Sequence, residues 1–222
     1  KTVGALVKNG FKKSSLVITG IPMYDDIYDR LEKAKVDRKS NDKIRILLLT
    51  AGIFEHGFWT RTQRDSLIQG IVSEIGKHKD RMSLTVKIHP SSELLSDYQE
   101  LIRPIDDSIP IHQKGDLVEF IQKSDVVVTY SGSSSLVYAI VGKKPIIVCN
   151  FYNMENDLFQ EKELVYQCKN KSTIISSIEQ VLKSNPATKE NIDSFIDEYF
   201  YKLDGRASER IGDSILDLVK QQ

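Results

Sequence analysis

Ser124-Asp125-Val126-Val127-Val128-Thr129-Tyr130-Ser131-Gly132-Ser133-Ser134-Ser135-Leu136-Val137-Tyr138-Ala139-Ile140-Val141 reads as a strand, a serine-glycine turn and a helix in immediate succession. A β-branched run of this kind feeding a helical pattern is one step of a parallel βαβ unit. At such a turn the unpaired amides and the positive end of the helix dipole converge, and Gly132 lets the backbone approach a ligand. Ser131, Ser133, Ser134 and Ser135 add short hydroxyl donors, so the turn is expected to cradle a phosphate. The alternative is that the serines only cap the helix; three in a row after a glycine exceed what a cap requires.

Outward from this stretch the same alternation repeats. Strands are expected at residues 44–50, 84–89, around 109–112, 125–129, 146–149 and 164–166, and helices at 60–77, 116–122 and 133–141. Three more helices close the chain: 172–183, a stripe of Ile192, Phe195, Ile196, Tyr199 and Phe200, and a stripe of Ile211, Ile215, Leu218 and Val219, all read as core. The expected fold class is therefore α/β, a doubly wound, mostly parallel, Rossmann-like sheet with extra C-terminal helices.

The polar stretch V-D-R-K-S-N-D-K at 36–43 reads as a boundary. Residues 1–35, with a strand-like run at 15–19 and a helix from about Tyr24, look like the tail of a missing N-terminal domain plus a connection. Residues 36–222 then form the nucleotide-binding domain. An ordinary N-terminal strand and helix of a single domain is the alternative.

A chain of 222 residues, 40% hydrophobic, can bury enough surface for one solid core. Thirty-one basic residues balance thirty-one acidic ones, which argues against nucleic acid or an anionic membrane as the main partner. Apolar runs such as 44–49 fall far short of the roughly 20 residues of a membrane span, and no signal-peptide layout opens the chain. Cys149 and Cys168 form neither a C-x-x-C motif nor a disulfide framework, and no His/Cys spacing suits a metal. The expectation is a cytoplasmic protein, at most peripheral at the inner face of the membrane, with no tightly bound cofactor.

Open parallel sheets hold ligands at the carboxyl ends of their strands, so three more loops are candidates. His89-Pro90 ends the second strand, with Lys87 on the same face, and His89 is placed to donate to a phosphate or ribose oxygen. A surface histidine beside a capping serine is the alternative. The loop Ala51-Gly52-Ile53-Phe54-Glu55-His56-Gly57-Phe58-Trp59 places Gly52 near the phosphates and offers Glu55 and His56 as acid/base candidates. The loop at His112 is expected to pass backbone groups to a nucleobase.

These residues also carry a resemblance. Val17-Ile18-Thr19-Gly20-Ile21-Pro22-Met23-Tyr24-Asp25 resembles the V-T-G-N-P-x-x-D connection between the domains of UDP-N-acetylglucosamine 2-epimerases and related two-domain GT-B proteins, with Ile21 in place of Asn. Lys87-Ile88-His89-Pro90 resembles the K-x-H-P of CDP-glycerol glycerophosphotransferases and the His-Pro motif of capsule polysialyltransferases. The serine loop, Gly142-Lys143-Lys144-Pro145-Ile146 and Asp204-Gly205-Arg206-Ala207-Ser208-Glu209-Arg210-Ile211 are similar to glycerophosphotransferase segments in the same order. Tyr130 stands where those enzymes have Asp, and the epimerases' D-S-G-G and T-x-H-R-x-E-N stretches are absent.

The resemblance implies the donor-binding half of a GT-B glycosyltransferase or polyol-phosphate transferase of surface polysaccharide synthesis, inactive alone. It would take a UDP-, CDP- or CMP-linked donor, with the pyrophosphate on His89 and the serine loop. The acceptor, a glycan or polyol phosphate, would lie on the missing domain. A 2-epimerase or hydrolase-like enzyme and a non-catalytic nucleotide-binding module are the alternative readings.

Overall fold

The computed structural model describes residues 2–32, 42–130, 133–155 and 158–220. The strands are β1 (Ile44–Leu49), β2 (Met82–Lys87), β3 (Ile111–His112), β4 (Val126–Thr129), β5 (Ile146–Cys149) and β6 (Tyr166–Cys168). The helices are α1 (Thr2–Lys8), α2 (Asp25–Glu32), α3 (Arg61–Gly76), α4 (Leu95–Ile102), α5 (Leu117–Lys123), α6 (Ser135–Val141), α7 (Leu158–Glu161), α8 (Ile174–Lys183), α9 (Lys189–Tyr199) and α10 (Ala207–Lys220). The chain divides into two compact units, Lys35–Thr188 and Lys1–Ala34 with Lys189–Gln222.

In the first unit all the strands pair in parallel, in the order β3-β2-β1-β4-β5-β6. Residues of β4 and β5 are buried throughout, as befits strands covered by helices on both faces. The chain winds outward from β1 to β3, then restarts on the other side of β1 at β4, which creates a switch point between the carboxyl ends of β1 and β4. Local sequence reinforces each element. Thr60 and Gln63 form a reciprocal capping box ahead of α3, and the Asp116 carboxylate accepts the Val118 N–H at 2.9 Å ahead of α5. At the opposite edge of the sheet, Asp125 accepts the Arg45 backbone N–H at 2.8 Å and the guanidinium at 2.8 and 3.2 Å, fixing the β1–β4 register.

In the second unit, two segments far apart in sequence form one joint. The Asp25 carboxylate accepts the N–H groups of Ala207 (3.0 Å) and Ser208 (2.7 Å) at the start of α10, and Arg210 donates to the Thr19 carbonyl at 2.7 Å. The Tyr24 and Phe200 rings meet edge to face, and Phe195 packs against Phe200.

Four expectations are corrected. Residues 16–19 are not a strand: Lys13–Ser15 is a 3-10 turn, the Leu16 N–H closes on the Lys13 carbonyl, and the Thr19 carbonyl accepts from Arg210. The apolar stripe of α10 is not core, since Ile215, Leu218 and Val219 are 56–64% exposed, whereas Ile174 and Ile178 of α8 and Phe195 of α9 are buried. Helix α4 has no counterpart in the sequence reading, because its buried residues Tyr98 and Ile102 are too few to stand out as a stripe. The last strand is Tyr166–Cys168, two residues later than expected, because the Leu164 N–H is taken by the Phe159 carbonyl at 2.9 Å and pairing with β5 begins at Tyr166. The expected boundary at 36–43 falls mostly outside the described residues.

Asp125→Ala removes the acceptor of the part-buried Arg45 N–H and guanidinium and is expected to lower stability by about 1–3 kcal/mol. Urea unfolding measures this, and a loss under about 0.5 kcal/mol would show that the register is held elsewhere.

Candidate functional site

The switch point is organised by a carboxylate that the sequence reading did not single out. Glu93 is 1% exposed. Its Oε2 accepts the Thr50 hydroxyl, from the end of β1, and the His89 N–H at 2.6 Å, just past β2. Its Oε1 accepts the Tyr98 hydroxyl of α4 and lies 3.4 Å from the hydroxyl of Tyr130, which follows β4. Tyr130 in turn donates to the Ala51 carbonyl at 3.0 Å and accepts the Ala51 N–H at 3.1 Å. Burial, with the Glu93 charge nearby, pushes the pKa of both tyrosines up, so the phenols stay protonated and donate. Lys87 is buried here too; burial pushes its ammonium down while Glu93 opposes the shift, and Nζ donates at 2.9 Å to the carbonyls of Ile88 and Gln113. Its charge is therefore spent on backbone carbonyls.

Around this network lie two cavities, both at the carboxyl edge. One, of about 450 Å³, is lined by His89, Pro90, Ser133, Ser134, Ser135 and the turn at Gly115, with Tyr138 on its α6 side. Gly115 holds a positive φ of 108°, and a Cβ there would stand 2.9 Å from the Phe120 ring. The other, of about 430 Å³, is lined by Gly52, His56, Phe58, Tyr130, Met154 and Glu155 among others. His89 and Ser133 line both.

His89 is oriented by its own turn. Its Nδ1 accepts the N–H groups of Ser92 (3.2 Å) and Ser91 (3.4 Å), which assigns the hydrogen of the neutral ring to Nε2 as a donor. Ser133 Oγ accepts the Ser135 N–H at 3.1 Å and lies 2.7 Å from Ser135 Oγ, so part of the serine loop's capacity is used within the loop. Ser134 is exposed and makes no side-chain cap bond. Ser131 and Gly132 lie outside the described residues. Gly52 is a point of close approach: a Cβ there would stand 2.4 Å from Ser92 Oγ.

The acid/base pair expected in the first loop is divided. His56 faces the second cavity, while Glu55 accepts Arg64 Nη1 at 3.0 Å and lines neither cavity. Arg64, 2% exposed, lies over the rings of Phe54 (5.0 Å) and Tyr98 (5.4 Å) and also meets Asp65 and Asp97, bracing the whole loop. Behind the loop, Trp59 stacks on Tyr130 and meets Tyr152 edge to face. His112 ends β3 with its ring against Phe120 and also lines neither cavity; its neighbours Gln113, Lys114 and Gly115 line the first. After β5, the Asn150 amide is held by Met154, accepting its N–H at 2.7 Å and donating to its carbonyl at 2.9 Å. An asparagine directly after an apolar strand was the available signal for this turn.

A glycerophosphotransferase family model, described as CDP-Glycerol:Poly(glycerophosphate) glycerophosphotransferase, matches residues 7–217. The chain belongs to that family. No similar sequence was found among the curated proteins. Among solved structures, the UDP-GlcNAc 2-epimerase of Neisseria meningitidis bound to UDP-GlcNAc matches with a TM-score of 0.62 and 19% identity over 97% of this chain and 59% of that one. The MnaA–UDP co-structure from S. aureus matches with 0.60 and 21% over 98% and 57%. The glycosyltransferase SnogD of Streptomyces nogalater matches with 0.54 and 12% over 82% and 46%. The chain thus spans less than three fifths of the length of the two former structures, and the likeness confirms a Rossmann-like α/β fold. Among the described residues no helix is long and apolar enough to cross a membrane, and no group of three His, Cys, Asp or Glu is placed to hold a metal.

Glu93→Ala strips acceptors from two buried hydroxyls and the His89 N–H. A loss of about 3 kcal/mol or more in urea unfolding is the expected result; a variant as stable as the parent would show that Glu93 does not organise the strand ends.

Proposed function

We propose that this chain is the donor-binding part of a nucleotide-dependent glycosyl- or polyol-phosphate transferase of surface polysaccharide synthesis. The observation that carries the reading is that His89 and Ser133 stand together on the wall of both cavities, at the switch point of a sheet whose chain belongs to the glycerophosphotransferase family. The cavity of about 450 Å³ is of ligand size. Its exposed Lys114, the serine hydroxyls and the Nε2–H of His89 are the donors a diphosphate requires. The turn at 113–115 would meet the nucleoside end, and Gly52, on the wall of the neighbouring cavity, would flank the phosphates.

In a transferase these groups act on the leaving nucleotide. Charge builds on the departing phosphate oxygen, and donors already in place stabilise it without having to reorganise. The UDP-N-acetylglucosamine and UDP named with the two matched structures are consistent with a nucleotide at this position. A further domain ahead of residues 1–35, of the kind the longer matched structures accommodate, would supply the acceptor side, and the work would be done in the cytoplasm at the inner face of the membrane.

Calorimetric titration of the chain with UDP, CDP, CMP and GDP tests the assignment. One nucleotide is expected to bind, and His89→Ala combined with Ser134→Ala should weaken it by at least tenfold, about 1.4 kcal/mol. Affinity unchanged in the double variant, or no binding of any nucleotide, would overturn the site.

A further inference from the structure

The second cavity opens onto the same His89 and Ser133 as the first and is of nearly the same volume, about 430 against 450 Å³. Its chemistry differs. Ala51, Ile53, Phe58, Val148 and Met154 supply apolar walls. The Asn150 amide is engaged at both ends by Met154, and the acidic side chain on the wall is Glu155. No lysine or arginine stands among its described lining residues, whereas Lys87 and Lys114 line the first cavity. Phe58 is 77% exposed, a large apolar surface left in water beside a preformed cavity.

We infer that this cavity receives the group attached to the nucleotide, and that this group is an uncharged sugar ring rather than an open-chain polyol. The inference rests on the nucleotide assignment of the first cavity. A glycerol chain has no apolar face, and each of its hydroxyls loses water on entry and needs a partner. His56, Asn150, Glu155 and Gln160 on the wall can serve hydroxyls of either group, but the apolar surface of Ile53, Phe58, Val148 and Met154 has no counterpart on such a chain. A pyranose ring presents a C–H face that suits Phe58 and the aliphatic wall, and a hydroxyl edge that His56 and Glu155 can meet. The volume is of the size that holds the nucleoside end next door, which is far larger than three carbons require. A second phosphate would face Glu155 with no lysine or arginine on the described wall, so the anionic part of the donor stays at His89 and the serine loop. His56 and Phe58 are thereby specificity residues for the transferred group.

Calorimetry on the chain with UDP, GDP and CDP, each free and as its glucose conjugate, and with CDP-glycerol, tests this. For the base that binds, the hexose conjugate is expected to bind about tenfold more tightly than the free diphosphate, the gain from covering one ring face. Phe58→Ala, a surface change that leaves the fold intact, should abolish that gain and leave the affinity for the free diphosphate unchanged; His56→Ala should reduce the gain. Equal affinities for conjugate and free diphosphate, a gain that survives Phe58→Ala, or CDP-glycerol binding more tightly than every hexose conjugate would each overturn the sugar subsite while the nucleotide site stands. Absence of binding by every nucleotide would overturn both.

Discussion

β1 and β2 stay paired to their carboxyl ends, with the Thr50 N–H on the Lys87 carbonyl at 3.1 Å, but β1 and β4 pair only as far as Leu48 and Val128, and beyond that point side chains have to tie the strand ends together. One buried carboxylate does so. Glu93 gathers a hydroxyl from the end of β1, a backbone amide just past β2 and a phenol from α4, while Tyr130, hydrogen-bonded to Ala51, brings in the end of β4 beside it. A carboxylate out of water is tolerated only when its lone pairs are filled, and removal of its partners or of the carboxylate itself leaves buried groups unsatisfied. The two cavities inherit their shape from this cluster, since His89 is anchored through its N–H and Tyr130 forms part of a wall.

The sheet was legible because its information is local. Runs such as Ile146-Ile147-Val148-Cys149 have few uses outside a strand covered on both faces, and Thr60, Gln63 and Asp116 mark helix starts through contacts within three residues. Where the signal was weaker the reading failed for a physical reason. Helix α4 spans eight residues with only Tyr98 and Ile102 buried, so it shows no stripe. The α10 stripe has the period of a core helix and yet lies exposed, because periodicity reports an apolar face and not what covers it.

The site was legible at its strand ends and illegible at its centre. His89 and the serine loop follow strands directly, and position alone places them at the carboxyl edge. Glu93 lies in the polar run Ser91-Ser92-Glu93, where an exposed surface turn is the ordinary expectation; its burial depends on Thr50, Tyr98 and Tyr130, which are distant from it or from one another in sequence. Glu55 and His56 show the same boundary in reverse. Adjacent in sequence, they have different surroundings: Arg64, buried against the rings of Phe54 and Tyr98, pairs with Glu55, while His56 lines the second cavity.

Much of the resemblance to the glycerophosphotransferases is carried by residues that build the frame. Asp25, Thr19 and Arg210 make one joint across two of the matched segments. Lys144 of the G-K-K-P segment donates to the carbonyls of Gln122 and Ser124, closing the end of α5 against the start of β4. Asp125 fixes the β1–β4 register, and Lys87 ties the end of β2 to the turn after β3. Each of these holds backbone groups in place, a task indifferent to what is bound. Of the matched segments, Lys87 through Pro90 and the serines at 133–135 reach the cavity wall as well. Ala51, Gly52, Ile53, His56 and Phe58, with Asn150, Met154 and Glu155 after β5, line the second cavity and belong to none of the matched segments. A frame of this kind accounts for membership of the family. On the proposed reading, what a bound diphosphate carries would be decided by walls on which the family motifs place no demand.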